Sequence, residues 1–276
     1  MQTPAKITNK RYRLNYHITT PSGWMNDPNG FSYYQGYYHI FYQYYPYSAK
    51  RGPMHWGHYR SQDLVHWEEL PIALTPDSPE DKNGCYSGSA IEKDGRLYLI
   101  YTGNHYYDVN DHSRFYQTQN VAFSDDGIHF TKYSGNPAIA LPPTDNSQHF
   151  RDPKVWQDGN EYYIVVGGQD KKGLGRAITY KSTDLLHWDY LGPIAVSQGA
   201  DIEGYTWGSA LIFFHWAERT FWYVHLKESW QRVKNILTAI KRDILSAKWI
   251  IATISLNMVH FKNLITDTTF TLPKLC

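Results

Sequence analysis

Cysteine is nearly absent from this chain. Cys85 and Cys276 are the only two in 276 residues, which excludes a disulfide framework and goes with a reducing compartment. No charge of one sign dominates: Lys and Arg number 27, Asp and Glu 26, a net of +1. Nucleic acid and acidic membrane surfaces are therefore not expected partners. No apolar run is long enough to cross a bilayer, and the longest in the C-terminal part, ILSAKWIIATISL, carries Lys248. The opening MQTPAKITNKRYRLNYH has no apolar core of a signal sequence. The expectation is a cytoplasmic protein. A Gly-rich phosphate loop and a nucleophile-elbow serine are missing too. His55 and His58 in HWGH lack a third ligand in the pattern, so neither a metal nor a cofactor is expected.

Aromatics, by contrast, are abundant, with 24 Tyr and 10 Trp. Such residues favour β-strands and suit the flat apolar faces of sugar rings. They are arranged in a repeat. SQDLVHW (61–67), SDDGIHF (124–130) and STDLLHW (182–188) share Ser-x-Asp-x-apolar-His-aromatic, at spacings of 63 and 58 residues. Ahead of them stand QGYYHIFYQ (35–43), DGRLYLIYTG (94–103) and DGNEYYIVVGG (158–168), each a Gly turn running into a strand-forming stretch. Repeated units of several short strands, without helical periodicity, predict an all-β propeller with one four-stranded sheet per repeat. Three repeats precede Trp207, fewer than the four or more blades of a closed ring. An open array leaves a sheet face and strand edges uncovered, an aggregation hazard.

Three stretches place acids and amides in turn-forming sequence beside aromatics. WMNDPNG (24–30) reads either as a tight loop or as a strand end that aims Asp27 into a pocket. RDPKVW (151–156) sets Arg151 beside Asp152, either a structural ion pair or an ionised carboxylate held for sugar hydroxyls. FYQ (41–43), HWGH (55–58) and YSGSA (86–90) add amide, indole and hydroxyl groups.

Together these motifs, in this order and over roughly residues 14–207, resemble glycoside hydrolase family 32, the β-fructosidases. The resemblance implies a five-bladed β-propeller followed by a β-sandwich, with the active site in the central funnel and a small sugar as substrate: sucrose, sucrose 6-phosphate or a short fructan. It implies Asp27 as the nucleophile and Asp152 as the group that binds fructose hydroxyls and stabilises the transition state. Asn26, Gln43, Trp56, Tyr86, Ser87 and Arg151 would line the sugar pocket. Within the family, DKNGCYSGSA, SDDGIHF and FRDPKVW look most like the bacterial intracellular sucrose-6-phosphate hydrolases. The residues alone also leave open a propeller glycosidase acting on arabinans or xylans, and a non-catalytic sugar-binding fragment.

One family element is missing. The acid/base glutamate belongs to a Glu-Cys-Pro motif after a Trp on the fourth blade, and here Trp207 is followed by Gly208 and Ser209. The glutamate expected at the place of Gly208 is absent, and Glu203 does not fit the motif. The composition changes at the same point. From Ser209 onward there is no Gly, one Tyr (Tyr223) and one Pro (Pro273), and residues 208–276 carry nine Lys and Arg against four Asp and Glu. A fourth blade would need Gly and Pro for its turns.

Back-translation accounts for both changes. Codons for Gly208 to Trp216 can be chosen so that reading from the third base of the Gly208 codon spells ECPDFFPL. At the same offset, HFKNLITDTTFTLPK (260–274) can be encoded to spell FQEFDYGHDFYAAQ, which matches the Asp-Tyr-Gly-His-Asp-Phe-Tyr stretch of the family's fifth blade. The expectation is thus a partial propeller over 1–207, an out-of-frame tail over 208–276 ending at an early stop, and a chain without hydrolytic activity.

Overall fold

The computed structural model describes residues 17–197, the single residues Pro4, Ile7, Arg11, Arg13 and Leu14, and the backbone of Thr206–Trp207, Ile212–Trp216, Arg219–Tyr223 and Leu226–Lys227. Every regular element among them is a strand. Three four-stranded antiparallel meanders follow one another along the chain. The first is β1 (Trp24–Tyr34), β2 (Tyr37–Tyr45), β3 (His55–Ser61) and β4 (Glu68–Leu74). The second is β5 (Cys85–Lys93), β6 (Arg96–Asp108), β7 (Asp111–Ser124) and β8 (Thr131–Lys132). The third is β9 (Asn146–Asp158), β10 (Glu161–Asp170), β11 (Gly175–Ser182) and β12 (Asp189–Val196). These are the three expected blades, and their first strands β1, β5 and β9 lie side by side. The closure of the expected five-bladed ring falls outside the described residues.

The Gly turns do what the repeat predicts. Gln35-Gly36 and Asp94-Gly95 join the first two strands of their blades with positive φ at both residues (47° and 83°, 52° and 76°), the tight hairpin geometry that matches strand twist. Alternation then sorts side chains onto two blade faces. Along β6, Leu97, Leu99 and Tyr101 face the first blade, where Tyr34, Phe41, Trp56 and Leu74 complete one buried cluster. Ile100, between them, faces the third blade and packs with Val121, Phe150, Val155, Ile164, Val166 and Ile178. On the other face of the first blade, Tyr42, Tyr44 and Tyr59 are buried with Ile18, Met25 and Trp67. Burial on both faces explains why these strands read as nearly continuous apolar runs.

The Ser-x-Asp-x-apolar-His-aromatic repeat is the turn between the third and fourth strands of each blade. In all three the Ser Oγ donates to one Asp oxygen, at 2.8–3.0 Å, and that oxygen accepts two backbone N–H groups. The His Nδ1 meets the other Asp oxygen at 2.7 Å in each copy. The fourth residue of the motif has positive φ each time: Leu64 (64°), Gly127 (71°) and Leu185 (70°).

Past the third blade, β13 (Thr206–Trp207) pairs with β16 (Leu226–Lys227), and β14 (Ile212–Trp216) with β15 (Arg219–Tyr223). The β13–β16 pair spans the Trp207–Gly208 junction, and β14 and β15 both lie beyond it. Gly208 itself and Glu203 lie outside the described residues.

Candidate active site

The site lies where the first strands of the blades meet, and each of these strands is bulged there. In β1, Asn26 and Asp27 together oppose Gln43, because Met25 pairs with Tyr44 and Pro28 with Tyr42. In β5, Ser87 is the extra residue between the pairs Tyr86–Thr102 and Gly88–Tyr101. In β9, Asp152 and Pro153 share the place opposite Val166. A bulge re-aims one side chain without ending the strand, and here it does so once per blade. WMNDPNG is therefore not a loop but the N-terminal part of β1. Its Asn, Asp, Pro and Gly are absorbed by two successive irregularities inside a strand, with Gly30 at φ 59°.

Asp27 and Ser87 are brought together. The carboxylate of Asp27 is exposed, and the buried Ser87 Oγ donates to it across the boundary between the first two blades at 3.5 Å. Asn26 turns its Oδ1 to the indole N–H of Trp24, at 2.7 Å. Gln43 and Trp56, register partners in β2 and β3, are buried beneath. Gln43 Nε2 donates to the Cys85 carbonyl at 3.0 Å and Trp56 Nε1 to the Tyr86 carbonyl at 3.1 Å. These two bonds hold the backbone that leads into the Ser87 bulge. Tyr86 stacks its hydroxyl against that of Tyr106 at 3.1 Å, and burial pushes its pKa up to about 12 while Arg51 pulls the other way.

On the third blade, Arg151 Nε lies 3.5 Å from Asp152 Oδ2, and the Asp152 side chain is only 7% exposed. Asp152 has φ 62°, an uncommon conformation for a residue with a Cβ. Its backbone N–H donates to Thr102 Oγ1 at 2.9 Å, and Thr102 donates on to Gln119 Oε1 at 2.8 Å. Gln119 Nε2 and Gln117 Oε1 then bind the Phe150 carbonyl and N–H, at 2.8 and 3.0 Å. A buried polar layer thus fixes the third blade's bulge to the second blade. Sequence reasoning missed Thr102, Gln117 and Gln119. Their signal is the polar run Gln117-Thr118-Gln119-Asn120 set inside an otherwise apolar strand, since buried polar groups persist only with partners.

His55 and His58 point to different partners. His55 Nδ1 lies 3.0 Å from the Pro53 carbonyl and His58 Nε2 lies 3.0 Å from His39 Nδ1. Among the described residues no group of three or more His, Cys, Asp or Glu is placed to hold a metal ion. No helix there is long and apolar enough to cross a membrane.

The profile of the glycosyl hydrolases family 32 N-terminal domain matches residues 17–269. The chain belongs to glycosyl hydrolase family 32. Among curated relatives of this family 32 chain, the sucrose-6-phosphate hydrolase of Bacillus subtilis (strain 168) is 45% identical over 199 residues, 71% of this chain and 40% of the relative. That of Escherichia coli is 41% identical over 207 residues, 74% of this chain and 42% of the relative. Among solved structures, a Bombyx mori GH32 β-fructofuranosidase variant in complex with sucrose superposes with a TM-score of 0.73 at 41% identity, covering 82% of this chain and 47% of that one. The sucrose-6-phosphate hydrolase from Lactobacillus gasseri superposes with a TM-score of 0.63 at 42% identity, over 71% of this chain and 39% of that one. The family 32 chain thus spans about two fifths of the length of these curated relatives. The family match runs past Trp207 into the tail.

Proposed function

We propose that residues 17–207 form the fructosyl-binding part of a β-fructofuranosidase site, and that the chain as written lacks the group that completes it. Asp27 is the nucleophile of a retaining double displacement and Asp152 holds fructose hydroxyls in the transition state. Asn26, Tyr86, Ser87 and Arg151 line the sugar, and Gln43 and Trp56 support it from below. The reading rests on one observation: the exposed carboxylate of Asp27 meets Ser87 across two blades, at bulges of adjacent first strands.

Retaining hydrolysis needs a second carboxyl about 5–5.5 Å from the first, to protonate the leaving oxygen and then activate water. After Trp207 that place holds Gly208. In this reading residues 208–276 are out of frame, and the glutamate follows Trp207 in the shifted frame. The change of composition at Ser209 and the two family motifs in one alternative frame support it. A phosphorylated disaccharide as substrate, as in the names of the relatives, goes with action inside the cell.

Resequencing through codon 208 together with an assay of two chains tests this. The 276-residue chain should release no fructose from sucrose or sucrose 6-phosphate, and a chain carrying the one-base frame correction should hydrolyse at least one of them. Turnover by the uncorrected chain that Asp27→Asn abolishes would show that the tail supplies the acid, against the frame reading. A corrected chain that binds and cleaves neither sugar would overturn the functional reading itself. Sugar binding without hydrolysis by the uncorrected chain would make it a sugar-binding remnant.

A further inference from the structure

Four of the described arginines spend their charge on a carboxylate. Arg60 holds Glu68, Arg96 holds Asp125, Arg151 lies against Asp152 and Arg176 forms a two-bond pair with Asp145. Arg51 does not. It is exposed within the β2–β3 connection, and its guanidinium lies 5.2 Å from the centre of the Tyr86 ring. The acidic residues of the described structure leave it alone, and its polar neighbours are the Tyr86 and Tyr106 hydroxyls. Those hydroxyls are 3.1 Å apart. On the far side of Tyr106 the His112 ring stacks at 4.1 Å and 11°. Tyr86 is the chain neighbour of Ser87, which carries the hydrogen bond to Asp27. A cation with no carboxylate partner among the described residues, two phenols and an imidazole therefore form a shelf one residue away from the serine that bonds the proposed nucleophile.

We infer that this shelf is an anion subsite that takes a phosphate monoester on the sugar distal to the bond that is cleaved, with Arg51 as the residue that sets the preference for a phosphorylated over a plain disaccharide. The inference rests on the proposed function of the same site. The chemistry fits in three ways. A guanidinium offers paired N–H donors that match phosphate oxygens. The high pKa of Tyr86 keeps its hydroxyl a donor, not an anion. Packing of Arg51 on an aromatic face restricts the side chain before a ligand arrives, so less freedom is lost on binding. The position also separates charges of like sign. Asp27 would repel a phosphate brought to it, whereas a sugar seated at Asp27 and Ser87 reaches the shelf with its far end.

The test is titration calorimetry on the full 276-residue chain with sucrose, sucrose 6-phosphate and inorganic phosphate, for the parent and for Arg51→Ala, Arg51→Lys and Arg96→Ala. Sucrose 6-phosphate should bind tenfold or more tighter than sucrose. That ratio should fall close to one in Arg51→Ala, recover in part in Arg51→Lys and persist in Arg96→Ala. A ratio that survives Arg51→Ala, with the lysine variant unchanged as well, overturns the subsite. Binding of sucrose with no preference for the ester also overturns it while leaving the proposed function standing. Inorganic phosphate binding as tightly as the sugar ester, and dependent on Arg51, assigns the shelf to free phosphate and overturns the sugar reading. If neither sugar nor phosphate binds to folded chain, the proposed function falls together with the subsite.

Discussion

Leu64 and Leu185 hold the same place in the turns of the first and third blades, and both sit at positive φ. Their surroundings differ. Leu64 is 47% exposed, whereas Leu185 is fully buried in the core between the second and third blades. The second blade has Gly127 at this place, which tolerates the conformation without strain. Leu64→Gly should therefore raise stability, by up to about 1 kcal/mol, as the cost of a left-handed backbone is removed. Leu185→Gly should lower it by about 2–5 kcal/mol, because the lost side chain leaves a core cavity. Urea midpoints of the two variants check this pair, and the same sign for both would refute the strain argument. At this scale the sequence was informative about chemistry and silent about geometry. The shared Ser, Asp and His announce a turn, but nothing in Leu64 or Leu185 announces positive φ.

The first strands carry the site because each is interrupted by a bulge, and this is where sequence reading ran out. A bulge adds one unpaired residue, so it shifts the period-2 pattern by one place and disguises the strand as a turn. Asn26-Asp27-Pro28-Asn29-Gly30 looked like a loop for that reason, although it lies within β1. The hairpin turns and second strands were legible, since Gly at Gly36 and Gly95 and the aromatic runs after them signal both. The β5 bulge also depends on close approach of the neighbouring strand. A Cβ on Gly88, the residue after Ser87, would stand 2.0 Å from the Ile100 carbonyl oxygen. Since that obstacle is backbone, Gly88→Ala must push β5 away from β6 and should cost about 1–3 kcal/mol. The displacement carries Ser87 with it, so sugar affinity measured by calorimetry should drop as well. Loss of stability with affinity retained would separate the bulge from the site.

Three blades and their order were readable along the whole molecule because the turn motif recurs at nearly constant spacing. What lies between the blades was not, since packing across sheets joins residues far apart in the chain. The buried histidines show the consequence. His39 and His58 approach to 3.0 Å between the first blade's strands, and His58 lies against the Phe41 ring at 4.1 Å. His55 and His105 are also buried. Burial is the first cause in all four, and it lowers each pKa below the ordinary histidine value. In the unfolded chain the same groups take up protons near pH 6.5. The unfolded state thus binds more protons as the pH falls, and the folded state loses ground from about pH 6.5 downward. The Asp of each repeat turn adds a second, lower window. Asp63 and Asp126 are held below the ordinary carboxylate value, chiefly by their His partners, and in Asp184 the same bonds outweigh burial. Their contribution is present above the unfolded aspartate value of about 3.9 and is lost as pH falls through the folded value. Thermal unfolding should show a Tm that is flat from pH 8 to 7. Between pH 6.5 and 5 it should fall as the unfolded chain takes up protons that the buried histidines do not, and below pH 4 it should fall again. His58→Phe should reduce the upper step, since Phe cannot be protonated and the site is already lined by aromatic rings. An unchanged upper step in that variant would mean that the acid sensitivity arises elsewhere in the molecule.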